Sequence, residues 1–291
     1  MRIFLRWCKG QASIAKKGGQ KMRFVFGLMC LIFAGSTAWA CGPDSKCRLG
    51  DRHYYIALPE GHDGRSQVGA ILFSHGLQGT AKGVMGNETL RGIASELGVA
   101  LIAVKSIGED WTLPNGPRNA VRNVNGTFRY FDAVVRDATS RFPIDPDRMM
   151  ATGYSAGGMV TWNLVCQRPQ LFAAFAPMAG TFWKNPPRRC RKPVANVLHI
   201  HGLTDKTVPM EGRVINGVRQ GNVTKVMRRY KRMGRFRAAG RSSNAVLELS
   251  CKLSRNRKGK MLDLCLYPGR HKYDSRYVEF AWKHFVKAGV L

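Results

Sequence analysis

The sequence predicts an α/β fold with a mostly parallel central sheet and helices on both faces. Three observations carry that expectation. Apolar runs such as Val68–Ser74, Val99–Val104 and Val194–Ile200 have the length and composition of fully buried strands. Helix-like stretches alternate with them at Thr89–Leu97, Phe128–Arg141 and Tyr277–Val286. Beyond an N-terminal leader about 250 residues remain, enough for one large domain with a buried sheet. No repeat or linker divides residues 41–291, so they are expected to form one domain, with 1–40 as an extension and signal peptide.

The leader is legible by composition. Lys21-Met22-Arg23 is a basic start, Phe24 to Ala34 an apolar core, and Ala38-Trp39-Ala40 a small-x-small cleavage site before Cys41. Cleavage after Ala40 and export to the periplasm or medium are expected. The apolar run is too short for a stable membrane span. Met22 competes with Met1 as the start. A lipoprotein anchored at Cys41 is the minor alternative, because Ala38 and Trp39 fit a lipobox badly. Six cysteines follow the leader. In an exported chain they are expected to pair with their nearest neighbours: Cys41–Cys47, Cys166–Cys190 and Cys251–Cys265.

The elements then follow in order. His53 to Leu58 alternates as an edge strand does, and Val68 to Phe73 and Val99 to Val104 flank a helix at Thr89–Leu97. Residues 111–126, with Pro114 and Pro117, are expected to loop over the site before the Phe128–Arg141 helix. Met149–Ala151, Leu171–Met178, Val194–Ile200 and Met261–Tyr267 are further strands. Residues 182–193 form a Pro- and Arg-rich loop, a candidate lid segment. Glu248 and Asp263 fall inside apparent strands, where a charge is expected to face solvent.

The feature with the most chemical content is Gly153-Tyr154-Ser155-Ala156-Gly157. A G-x-S-x-G between a short apolar run and a helix-like stretch is the context of a nucleophile elbow, which lifts a serine hydroxyl above the sheet. Alone the motif is weak; partners are needed in the chain order serine, acid, histidine. Between Ser155 and the C-terminal histidines the carboxylates are Asp205, Glu211, Glu248 and Asp263. Asp205 stands just past a strand that ends at Gly202, where functional residues of open α/β sheets collect. Two histidines follow it. His284 sits in a helix-like stretch, whereas His271 follows a strand and a Pro268-Gly269 turn, on a loop that can reach the serine. Ser155, His271 and Asp205 are therefore the candidate nucleophile, base and orienting acid. The expected oxyanion donors are the amides of Ala156 and of Leu77, with Gly76 as the competitor for the second. His75 is expected to brace that loop. Ser74 and Ser106 end apolar runs without an elbow. His199 and His201 share one strand face and are read as structural rather than metal-binding. No metal or organic cofactor is required by this chemistry.

These residues carry a resemblance. His75-Gly76, Asp145-Pro146-Asp147-Arg148, Gly153 to Met159, Phe172 to Pro177, and His199-Ile200-His201-Gly202 with Asp205 recur, in that order, in one family. Over about residues 50–275 the chain resembles the secreted polyhydroxybutyrate depolymerase and feruloyl esterase family of α/β-hydrolases. The resemblance implies the α/β-hydrolase fold and serine esterase chemistry on a polyester, an aromatic ester or an acetyl ester. Trp111 matches a tryptophan of the family and, with Tyr154 beside the nucleophile, is an expected substrate contact. Two departures stand out. The charges around Trp111 differ from the family's Gly-rich loop, and the His271 loop lacks the usual Gly-Gly-Gly-His run.

The charge is unusual. The formal net charge is +29; residues 1–40 hold seven Lys/Arg and no Asp/Glu, which leaves +22 for residues 41–291. Residues 225–260 hold thirteen Lys/Arg against Glu248 alone. Such a field favours anionic partners, acidic polysaccharide or lipopolysaccharide among them. The competing reading is a solvated basic face. Nucleic acid is disfavoured by export and by the lack of a recognised binding motif. Two rivals to the esterase use the same residues: a serine peptidase, and a non-catalytic binder of anionic envelope polymers.

Overall fold

The computed structural model describes residues 41–117 and 124–291. The leader, its cleavage site and both candidate starts lie outside these residues.

Among the described residues ten strands form one sheet. In chain order the elements are β1 (Cys47–Leu49), β2 (Arg52–Ala57), β3 (Val68–Ser74), α1 (Ala81–Met85), α2 (Glu88–Glu96), β4 (Ala100–Val104), α3 (Val124–Arg141), β5 (Ile144–Tyr154), α4 (Ala156–Gln167), β6 (Ala174–Met178) and β7 (Asn196–Gly202). A two-stranded ribbon, β8 (Val214–Ile215) and β9 (Val218–Arg219), follows. Then come α5 (Val223–Gly234), β10 (Arg237–Asn244), β11 (Leu249–Arg255), β12 (Leu262–Tyr267) and α6 (Arg276–Lys287). The sheet order is β1-β2-β4-β3-β5-β6-β7-β12-β11-β10. The six strands from β4 to β12 in that order run parallel, and two antiparallel strands close each side.

Helices cover both faces, so the central strands read as continuous apolar runs rather than alternating ones. On one face α3, α4 and α5 bury Phe131, Trp162 and Tyr230. On the other α1, α2 and α6 bury Met85, Leu90, Trp282 and Phe285. Local chemistry sets helix starts: the Asn87 and Asn222 side chains accept from the Leu90 and Lys225 amides and cap α2 and α5.

All three disulfides are present in the expected pairing. Cys251 and Cys265 face each other across β11 and β12. The sulfur of Cys41 is bonded to Cys47.

Three expectations are corrected. Asp263 does not face solvent: it is fully buried, where it accepts from Arg255 Nη1 (2.6 Å), the Ser254 amide (2.9 Å) and His284 Nε2 (2.8 Å). A buried carboxylate persists when its lone pairs are filled this way. Glu248 lies in the turn before β11 with φ 53°, not within a strand. The 182–193 segment is pinned rather than lid-like. Cys190 bonds Cys166 at the far end of α4, and Arg229 Nη1 donates to Pro186 O at 2.6 Å.

Candidate active site

Ser155 links β5 to α4 at φ 58° and ψ −118°, a backbone conformation that ordinary residues avoid. The flanking glycines explain how this turn closes. A Cβ on Gly157 would sit 1.9 Å from Ser74 O, and one on Gly153 2.7 Å from the same oxygen. No side chain fits where α4 starts against β3 and β5. The Ser155 amide donates to Met178 O at 3.0 Å, which ties the elbow to the end of β6.

Asp205 follows β7 and His271 follows β12, two neighbouring parallel strands, so both arrive at the carboxyl end of the sheet, as Ser155 does from β5. The Asp205 carboxylate is buried, with 4% of the residue exposed. Its Oδ1 accepts from the amides of Thr207 and Val208, each at 2.8 Å, and its Oδ2 from His271 Nδ1 at 2.6 Å. Burial alone pushes this carboxyl up. The hydrogen bonds from His271 and Val208, with the nearby imidazoles, outweigh burial and hold it below its ordinary value.

The histidine loop is strapped in place. Thr204 N donates to Gly269 O (3.0 Å), Leu203 N to Tyr267 O (2.9 Å), and the Tyr267 hydroxyl to Arg270 O (2.9 Å). The His271 ring packs on Tyr154, the residue before the serine, with centroids 4.7 Å apart. Among the described residues His271 Nε2 makes no hydrogen bond, to Ser155 or to any other group. The sequence offers no separate signal for Tyr267, which clamps this loop and reads as one more strand residue.

On the other side of the serine lies the His75–Gly79 loop. A Cβ on Gly76 would be 3.7 Å from Ser155 Cβ, so this backbone runs beside Ser155. The Leu77 and Ala156 amides are not used in any hydrogen bond among the described residues, whereas the Gln78 amide is bound to Glu109 O at 2.8 Å. His75 is buried beneath the loop. Its Nδ1 donates to Gly76 O at 2.7 Å and its Nε2 accepts from the Ser106 amide at 3.2 Å. Burial pushes its imidazole down to about 4, against the opposing pull of the Gly76 carbonyl. Trp111 is 4% exposed and stacks near His75, its Nε1 donating to His75 O at 2.9 Å. It therefore supports the loop from behind, which corrects the expectation of a substrate contact. Tyr154 does line open space: a cavity of about 220 Å³, whose lining includes Phe73, Gly76, Val84, Leu90, Tyr154 and Tyr273. Tyr273 had no signal in the sequence beyond its nearness to His271.

Beneath Asp205 runs a chain of buried polar groups. Trp162 Nε1 donates to His199 Nδ1 (3.2 Å), His199 Nε2 to His201 Nδ1 (3.0 Å), and His201 Nε2 to Val208 O (2.7 Å). Each ring thus has one donor and one acceptor, the pattern of two neutral imidazoles. Burial pushes both histidines down, His199 well below its ordinary value. The pair is turned inward on itself, and among the described residues no group of three or more His, Cys, Asp or Glu is placed to hold a metal.

The chain is similar to known proteins over parts of its length. Residues 118–184, the segment that contains the elbow, match the model of the prolyl oligopeptidase family. NocK of Nocardia uniformis subsp. tsuyamanensis, which bears an esterase name, is 32% identical over 158 residues, 54% of this chain and 44% of NocK. Feruloyl esterase C of Emericella nidulans is 25% identical over 192 residues, 62% of this chain and 66% of the relative. The chain thus spans less than two thirds of the length of either. Among solved structures, acetyl xylan esterase from Aspergillus awamori superposes with a TM-score of 0.60 at 14% identity, covering 88% of this chain and 98% of that one. S-formylglutathione hydrolase from Staphylococcus aureus gives 0.52 at 14% identity, covering 82% and 90%. At such identities these two establish the fold alone. The chain has the fold of these hydrolases, and the sequence relatives it matches over part of their length bear esterase names.

Proposed function

We propose that the chain is an exported serine esterase that hydrolyses carboxylic esters through an acyl-enzyme. The observation that carries this reading is the bonded His271–Asp205 pair, delivered to the same end of the sheet as a serine held at positive φ. His271 Nε2 takes the Ser155 proton as Oγ attacks the ester carbonyl. Asp205 keeps the proton of the imidazole on Nδ1 and stabilises the imidazolium. The Leu77 and Ala156 amides receive the charge that develops on the carbonyl oxygen. His271 then returns the proton to the leaving alcohol, and water repeats the sequence in reverse to release the acid.

In this reading the acyl group enters the cavity lined by Tyr154, the residue before Ser155, and by Gly76. Its aromatic walls, Phe73, Tyr154 and Tyr273, suit a flat or aliphatic acyl chain, and its volume of about 220 Å³ suits a single acyl unit. An aromatic acyl ester fits these walls best; a hydroxybutyrate unit of a polyester is the second candidate. Export rests on the leader composition and the three disulfides.

The match to a peptidase family raises amide hydrolysis as a second reading, but it spans the elbow segment, which esterases and peptidases of this fold share. Turnover of p-nitrophenyl esters, methyl ferulate and hydroxybutyrate oligomers against aminoacyl arylamides separates the two. Ser155→Ala should lower ester turnover on the order of a millionfold in kcat with an unchanged melting curve. A phosphonate probe should label Ser155; labelling of Ser74 or Ser106 in its place would refute the nucleophile.

A further inference from the structure

The strongest feature that the triad does not use lies at the opposite end of the sheet. A cleft of about 1140 Å³ opens where Lys192–Val194 lead into β7, where the β11–β12 turn closes, and where α5 gives way to β10. Lys192, Arg235, Arg237, Arg257, Lys258 and Lys260 line it, and none of its lining residues is acidic. Arg255 also lines it, but its Nη1 is spent on Asp263 at 2.6 Å. The triad stands past the carboxyl ends of β7 and β12, and the cleft at their amino ends. The length of β7, seven residues, therefore separates them by roughly 20 Å.

The walls are built, not a chance gathering of surface lysines. Asn256 Nδ2 donates to Gly234 O at 3.1 Å, which fastens the β11–β12 turn to the end of α5. Asn256 Oδ1 accepts from the amides of Lys258 and Lys260 and sets the turn itself. The dipole of α5 favours Lys231 and Arg232 in its last turn, but no such term favours the cations of the hairpin. There the register opposes them: Arg237 of the cleft pairs directly with Arg255, and further along the hairpin, outside the cleft, Arg241 pairs with Lys252. Like charges directly opposite on neighbouring strands destabilise a sheet. Asp263 offsets Arg255, but among the described residues no ion pair involves Arg237 or the other cations of the cleft, so an anion supplied from outside stabilises them.

We propose that this cleft binds a linear acidic polysaccharide through its carboxylates and holds it apart from the catalytic site. Charge complementarity selects a polyanion. The lining offers no aromatic side chain on which a nucleic-acid base could stack, which favours a charged sugar chain over single-stranded nucleic acid. Binding does not rest on the esterase reading. Its consequence does: a polymer held here raises the local concentration of any ester that the same polymer carries.

The test measures binding of fluorescently labelled polygalacturonate to the Ser155→Ala protein by anisotropy. Dextran serves as the neutral polymer and a single-stranded oligonucleotide as the other polyanion. One variant combines Lys192→Gln, Arg237→Gln, Arg257→Gln and Lys258→Gln, all exposed positions. A control of equal charge change combines Arg65→Gln, Arg129→Gln, Arg136→Gln and Lys287→Gln, exposed elsewhere. The cleft variant should lose about tenfold in polygalacturonate affinity, a few tenths to one power-of-two step per exposed charge, while the control changes less than about twofold. Affinity should also fall steeply with salt. Equal losses in both variants would overturn the site, and so would equal binding of dextran. Tighter binding of the oligonucleotide with the same dependence on the cleft would replace the polysaccharide by nucleic acid. Turnover of a small neutral ester by the cleft variant with Ser155 intact is measured in parallel. It should be unchanged, and its absence in the parent protein would count against the esterase reading while leaving the binding result standing.

Discussion

His271 and Asp205 reach each other at 2.6 Å from loops that follow adjacent parallel strands, and the acid's other oxygen is already filled by two backbone amides. The carboxylate therefore has one free direction, and the imidazole occupies it. Asp205→Asn should keep the shape of this contact but present a donor where His271 needs an acceptor, turning the imidazole to the wrong tautomer. The expected loss in kcat is about 10⁴-fold for ester substrates. It is checked by steady-state kinetics on protein whose melting curve matches the parent; a loss below about tenfold would remove Asp205 from the mechanism.

An elbow glycine and a helix glycine make a sharper test, because their changes to alanine should have opposite signs. At Gly157 the added methyl meets backbone, Ser74 O at 1.9 Å, which cannot swing away. Gly157→Ala should cost about 3 kcal/mol of stability. It should also lower turnover by about a hundredfold through displacement of the serine. At Gly92, within α2, nothing lies within 4 Å of the new methyl. Gly92→Ala should stabilise by about 0.5–1 kcal/mol with normal turnover. Urea titrations of both variants decide it.

The central strands, the elbow and the chain order of serine, acid and histidine were legible because each leaves a local mark: apolar runs, glycines at fixed offsets, a strand followed by a turn. Three features left none. Strand β10, Arg237–Asn244, is exposed on both faces and so carries no hydrophobic alternation. Asp263 is bound by His284, 21 residues away on α6, and a partner that distant is invisible to a pattern read along one strand. Trp111 was expected at the substrate because it matches a tryptophan of the resembled family. Its indole instead holds the carbonyl of His75, a contact across 36 residues.

Cys251 and Cys265 stand opposite each other on β11 and β12, 14 residues apart in sequence. The Cys251→Ser, Cys265→Ser double variant should lose about 3 kcal/mol in the chain-entropy model. Chemical denaturation measures the loss, and peptide mapping without reductant should recover the linked pair from the parent.

Acidification should weaken the fold over a window set by buried imidazoles. His75 is pushed down to about 4 by burial, and His199 and His201 are lowered by the same cause. In the unfolded chain each returns to an ordinary value near 6.5. Below that pH the unfolded chain binds protons that the folded protein refuses, so stability falls as pH falls. For His75 the decline runs from about 6.5 to about 4, after which both states are protonated and its contribution levels off. Each such proton contributes about 1.4 kcal/mol per pH unit. Asp205 acts in the same direction at lower pH: its folded carboxyl lies below the ordinary value, so its stabilisation is lost as pH falls through that lowered value. Urea midpoints measured across this range should fall steadily with pH. His75→Asn, which keeps a donor toward Gly76 O but cannot titrate, should flatten the slope between pH 6.5 and 4 by about one proton. An unchanged slope in that variant would show that His75 is protonated in the folded protein, and that the loop beside Ser155 is braced in some other way.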